Sequence, residues 1–210
     1  MPFGYIGQNQ TKQQVKNSGV LSSFDISLLE KKGEAGGSLE LIQSQTTSGA
    51  VSYNFTSIQE ARYDVHLLQI SGLTVPSGSQ EWGIRLYEGG VLETASVYQY
   101  AYQEIGVTGG VSETRNTGDD NIKLNGTGSE QWVANMYLYF YNLGNSSKYS
   151  FCTFQGMPRR NTSGGSYNDA GTYQRFGSGV LPQASTVDGI QIYNSATTST
   201  GGTAKLYGVK

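Results

Sequence analysis

Charge is scarce in this sequence. Only 14% of its residues are Asp, Glu, Lys or Arg, against roughly a quarter in an ordinary globular protein. The formal net charge is −2 and no block of Lys or Arg occurs, so the basic footprint of a nucleic-acid binder is missing. Cys152 is the sole cysteine. That excludes a disulfide within the chain and a multi-cysteine zinc site. Beside Phe151 and Phe154 it reads as a small buried apolar residue. His66 is the sole histidine. A Ser–His–Asp triad would have to use it, and a His-rich metal site would need more.

Other absences narrow the field further. No apolar run approaches the ~18 residues of a helical membrane span. No GxxxxGK[ST] string occurs, and no helix follows Gly106-Val107-Thr108-Gly109-Gly110, so these glycines read as turn residues and not as a phosphate loop. The start lacks a basic stretch followed by an apolar one, so no secretion signal is expected there. Five N-x-[ST] triplets, at Asn9, Asn54, Asn125, Asn145 and Asn161, then read as chance matches.

What is abundant is glycine, 29 of 210 residues, and tyrosine, 15 against 7 phenylalanines. From Ser38 onward, short alternating segments are separated by turn clusters such as GVTGG, NTGDD, NGTGS and NTSGGS. Candidate strands are Leu39–Gln45, Ala50–Phe55, Arg62–Ile70, Trp82–Tyr87, Ser96–Gln103, Asn121–Leu124, Trp132–Tyr141, Lys148–Gln155, Tyr173–Phe176, Asp188–Tyr193 and Gly202–Tyr207. Many short strands with frequent turns predict an all-β, antiparallel jelly-roll-like sandwich over 38–210. In the third strand, Tyr63, Val65 and Leu67 are expected to face inward, with Asp64 and His66 outward.

Residues 1–37 read as an N-terminal arm and a short helix. Met1–Gly19 is polar apart from tip residues such as Phe3, Tyr5 and Ile6. It is either a frayed terminus or an arm that anchors the chain to a neighbouring subunit. Ser22–Lys32 has caps at both ends of a helical spacing, although Phe24, Ile26 and Leu28 also alternate as a strand would.

No catalytic or metal site declares itself, and no cofactor is expected. Asp119-Asp120-Asn121 could hold a hard cation but fits no EF-hand spacing, and its neighbours suit a turn. Glycoside hydrolysis needs two acids across a bond. Glu40, Glu60, Asp64, Glu81, Glu88, Glu93 and Glu104 offer no marked pair.

Two tyrosine ladders and one loop are the binding candidates. Tyr98, Tyr100 and Tyr102 share a strand face and form either a sugar platform or packing against a neighbour. In Trp132–Tyr141, Trp132, Ala134, Met136, Leu138 and Phe140 are expected in the core. Tyr137, Tyr139 and Tyr141 then face the other way, toward a loop, a second subunit or a sugar. Arg159 and Arg160 begin a long patternless loop, of the kind that often makes contacts. With Tyr137, Tyr139 and Tyr141 they form the candidate subunit interface.

Five segments carry a family resemblance: Gly36-Gly37-Ser38-Leu39-Glu40-Leu41-Ile42, Phe55-Thr56-Ser57-Ile58, Tyr63-Asp64-Val65-His66, Arg85-Leu86 and Leu206-Tyr207-Gly208. With their surroundings they resemble virion structural proteins of tailed bacteriophages, marine-phage types in particular. The resemblance spreads over most of the chain and is least in 156–179. Its motifs are strand and turn signatures, none of them catalytic. It implies a non-enzymatic tail fibre, appendage or capsid-decoration subunit, assembled in the host cytoplasm and located in the virion. The implied partners are other virion proteins and copies of the chain itself, a trimer being the first expectation. A host-surface glycan is the alternative partner, and neither nucleic acid nor a membrane span is expected.

Overall fold

The structure is a computed structural model. It describes residues 28, 38–46, 49, 52–74, 81–106, 109–124, 131–157, 159–161, 173–195 and 201–210, with backbone only for 131–134 and 159–161. Two compact units divide the chain, 1–39 and 40–210. The arm residues Phe3, Tyr5 and Ile6 lie outside the described residues, as does the expected helix apart from Leu28.

The described residues are organised as two antiparallel sheets. The larger runs in the order β1 (Leu39–Thr46), β14 (Gly201–Val209), β3 (Val65–Thr74), β9 (Gln131–Tyr141), β10 (Ser150–Gly156), β12 (Tyr173–Leu181), β6 (Tyr98–Gly106) and β7 (Val111–Asp119), with β11 (Arg159–Asn161) also on β9. The smaller runs β2 (Ser52–Phe55), β13 (Val187–Asn194), β4 (Trp82–Glu88) and β5 (Val91–Leu92), with β8 (Ile122–Lys123) also on β4. The pairing nests: β1 with β14, β2 with β13, β3 with β9, β4 with β8. First with last and second with next-to-last is the jelly-roll order, as the alternation predicts. The departure from eight strands comes from the segments after β5 and β9, whose strands widen the larger sheet beyond β9.

The core follows from period-two alternation on both sheets. Leu68, Ile70, Leu138 and Phe140 from the larger sheet meet Ile84, Leu86, Ile190 and Ile192 from the smaller, all fully buried. One device keeps β3 in phase. Ile70 and Leu73 are three residues apart yet both are buried. The register slips between them, and Gly72 takes a left-handed φ of 62°. This bulge absorbs the extra residue and returns Leu73 to the core.

His66 corrects the expected phase of β3. Its ring is fully buried, while Val65 and Leu67 lie half-buried on the outer side. Arg62 and Tyr63 belong to a turn closed on the Gln59 carbonyl, so alternation counted from Tyr63 runs out of step with the strand. The His66 Nε2–H donates to the Ile58 carbonyl at 2.8 Å.

Strands β5, β7 and β11 have no counterpart among the expected ones. β7 reads VSETRNTGD, with Val111 as its one apolar residue. At a sheet edge it buries little and carries no alternation to detect. Part of the expected NTGDD turn is the end of this strand.

Candidate functional site

Tyr98, Tyr100 and Tyr102 are not a surface platform. They are 0%, 6% and 6% exposed, within the core. β6 lies between β12 and β7, and its partner positions on β12 are glycines: Tyr102 pairs with Gly177 and Tyr100 with Gly179. The space those glycines leave is filled by aromatic rings. Tyr102 and Phe154, which flank Gly177 from either side, lie 6.3 Å apart. The Tyr98 and Tyr100 hydroxyls are satisfied inside. Tyr98 donates to the Glu93 carbonyl and accepts from the Leu86 N–H, and Tyr100 donates to Asp119. Burial, the largest cause, raises both their pKa values well above the usual phenol range.

The second ladder does face outward. Met136, Leu138 and Phe140 fill the core as their alternation predicts. Tyr137 is 43% exposed on the opposite face, with Tyr139 and Tyr141 half-buried beside it. The Tyr137 hydroxyl donates to Gln155 Oε1 at 2.6 Å across β9 and β10, and its ring meets Tyr139 edge-on at 6.1 Å. Arg159 and Arg160 do not sit in a free loop: β11 pairs them with Val133 and Trp132 on β9.

The outer face as a whole was not evident from the sequence. Its outward positions on β3, β9, β10, β12 and β6 are aromatic, aliphatic, amide or hydroxyl residues, without one acid or base among the described side chains. Phe151, Met157 and Phe176 are 44%, 57% and 39% exposed on it. An open groove of about 750 Å³ is lined by Leu67, Gln69, Tyr137, Tyr139, Gln155 and Met157. A shallower one of about 380 Å³ continues beside it over Thr153, Phe176 and Ser178.

Charge is held elsewhere, mostly in pairs. Arg85 bonds Asp120 and stacks on the Tyr193 ring at 3.6 Å. Lys123 lies 3.1 Å from Glu81 and 3.3 Å from Asp119. Burial works against the Lys123 charge, but the Glu81 hydrogen bond and the neighbouring negative charges outweigh it and raise its pKa. Arg175, 2% exposed, pairs with Glu104 and donates to the Leu124 carbonyl at 2.6 Å. Glu40 holds Arg62 and Lys210 at 2.9 and 3.0 Å. Asp119 and Asp120 are thus committed to cations of the chain itself. No group of three metal-ligating side chains forms among the described residues.

The signal for Phe151 and Phe176 was present but ambiguous. In FCTF either phase buries a phenylalanine, and only the pairing of Cys152 with Phe140 fixes Cys152 and Phe154 as the inward pair.

No protein-family model matches this chain, and no curated protein matches it. Among solved structures, it is similar to the CBM2 module of the evolved Dit of Lactobacillus casei BL23 phage J-1. The identity is 7%, over 76% of this chain and 69% of that one, with a TM-score of 0.21. At that score the likeness carries nothing about fold or function.

Proposed function

We propose that this protein is a non-catalytic structural subunit of a tailed-phage particle, working through the uncharged part of the outer face of its larger sheet, over β3, β9, β10, β12 and β6. The phage setting rests on the sequence resemblance. The contact role rests on one observation: five adjacent strands present exposed aromatics and Met157, with no acid or base among their described outward side chains. The centre of a protein interface is depleted in charge and enriched in Tyr, Phe and Met. Monomeric proteins seldom leave such a surface bare. Glu81, Glu104, Asp119 and Asp120 are held by Lys123, Arg175 and Arg85, which gives these four acids a structural role.

Phe176→Arg places a charge in the middle of this face. The variant is expected to fold normally and to be excluded from particles when it competes with wild-type chain. Equal incorporation of the two would contradict the proposal.

The amide lining favours a second reading. Gln69, Gln155 and Gln174 surround Tyr137 and Tyr139 in the large groove, an arrangement suited to an uncharged sugar that stacks on a ring and bonds through its hydroxyls. Binding on a glycan array that is lost in Tyr137→Ala would support it, and an array without signal would remove it.

A further inference from the structure

We infer that β7 is a self-pairing edge, which joins two copies of the chain through antiparallel β7–β7 contact about a two-fold axis. β7 closes the larger sheet: β6 pairs one side of it, and no strand among the described residues pairs the other. Its ladder with β6 is regular from Val111 to Asn116 and shifts only beyond. Ser112, Glu113, Arg115 and Asn116 are exposed. Proteins usually blunt such an edge with proline, charged side chains (lysine above all), a central bulge or a very short strand. β7 runs for nine residues with neither proline nor lysine, the two charges of its regular stretch, Glu113 and Arg115, are of opposite sign, and its irregularity lies at one end.

The sequence of the edge selects the second copy as its occupant. A two-fold axis perpendicular to the sheet keeps both outer faces on the same side. Because successive side chains alternate, the axis must then pass through a residue and not between two. Centred on Glu113, the pairing would set two carboxylates directly opposite, which is destabilising. Centred on Thr114, it sets Glu113 opposite Arg115 of the second copy, twice, with the two threonines facing each other on the axis. Opposite charges and Thr–Thr pairs are both favourable across strands. Glu113 is already oriented on this face by the Gln103 amide, which donates to its Oε1 at 2.7 Å. A depression of about 370 Å³, lined by Ala101, Gln103, Glu113, Arg115 and Phe176, reaches from the uncharged face to this edge. The dimer therefore doubles that face. The inference does not depend on the phage setting.

A charge-swap cycle read by sedimentation velocity across a concentration series tests it. The wild-type chain is expected to dimerise. Glu113→Arg and Arg115→Glu, each leaving like charges opposed, should weaken the dimer about tenfold or more. The double variant Glu113→Arg/Arg115→Glu should restore it. In parallel, Thr114→Cys should oxidise to a covalent dimer, because residues on the axis lie within disulfide reach, while Ser112→Cys should not. A monomeric wild type at its highest soluble concentration would overturn the inference. So would a double variant no tighter than the single ones, or equal crosslinking at 112 and 114.

Discussion

The Arg175 guanidinium lies over the Tyr102 ring, 4.7 Å from its centroid, inside the sandwich. Burial brings its pKa down to about 10, against the pull of Tyr102, so it stays charged at neutral pH. Its counter-charge is Glu104. Glu104→Ala is expected to cost about 3 kcal/mol or more, the usual result of stranding a buried charge. Pairing Glu104→Leu with Arg175→Met should recover most of the loss. Urea denaturation of the two variants checks this, and a neutral Glu104→Ala would contradict it.

His66 makes stability depend on pH. Burial, its largest influence, holds the imidazole below its ordinary pKa, although the Ile58 carbonyl bond and Glu60 pull the other way. The native state thus keeps the ring neutral while the unfolded chain takes up a proton near ~6.5. The unfolded state binds more protons below that pH, so stability falls as pH drops from about 6.5 toward the lowered native pKa. His66→Gln retains a donor for Ile58 and removes the titration. Its denaturation midpoint should change less with pH across this window than that of the wild type, and an unchanged slope would contradict the assignment.

Gly144 holds two turns together. A Cβ there would collide with the carbonyl oxygen of Glu60 and come within 2.9 Å of its carbon. These are backbone atoms and cannot rotate away. Gly144→Ala is expected to destabilise by about 1–3 kcal/mol, as overpacking does. Gly89→Ala meets no atom within 4 Å but must hold a φ of 59°, so its loss should come from backbone strain alone. Thermal melting compares the two, and removing atoms around Glu60 should rescue neither.

Cys152 should be chemically silent. It is 1% exposed, and burial pushes its thiol up to about 12 despite the Gly179 backbone bond. A thiolate is the reactive form. Labelling by a thiol reagent should follow the rate of unfolding, and rapid labelling of the folded chain would contradict its placement.

The fold was legible where alternation is strong. Trp82, Ile84 and Leu86, and Met136, Leu138 and Phe140, declare their inner faces by period two alone, and enough such segments imply a sandwich. Three things hid the rest. β7 buries too little to need a pattern. The phase of β3 depends on a turn at Arg62 and Tyr63 and on a bulge at Gly72, both set by tertiary contacts. The tyrosines of β6 are as polar in sequence as those of β9. What separates them is the strand opposite: Gly177 and Gly179 make room for Tyr100 and Tyr102, whereas Tyr137 and Tyr139 point away from the core. The uncharged face is a property of five strands in a particular spatial order, and chain order does not reveal it.

Side-chain oxidation footprinting of the free chain and of intact particles tests the contact role of that face most directly. The account predicts that Tyr137, Phe151, Met157 and Phe176 are oxidised readily in the free chain and protected in the particle, while Val91, 70% exposed on β5 of the smaller sheet, provides the reference. Equal oxidation of all four residues in both states would contradict it.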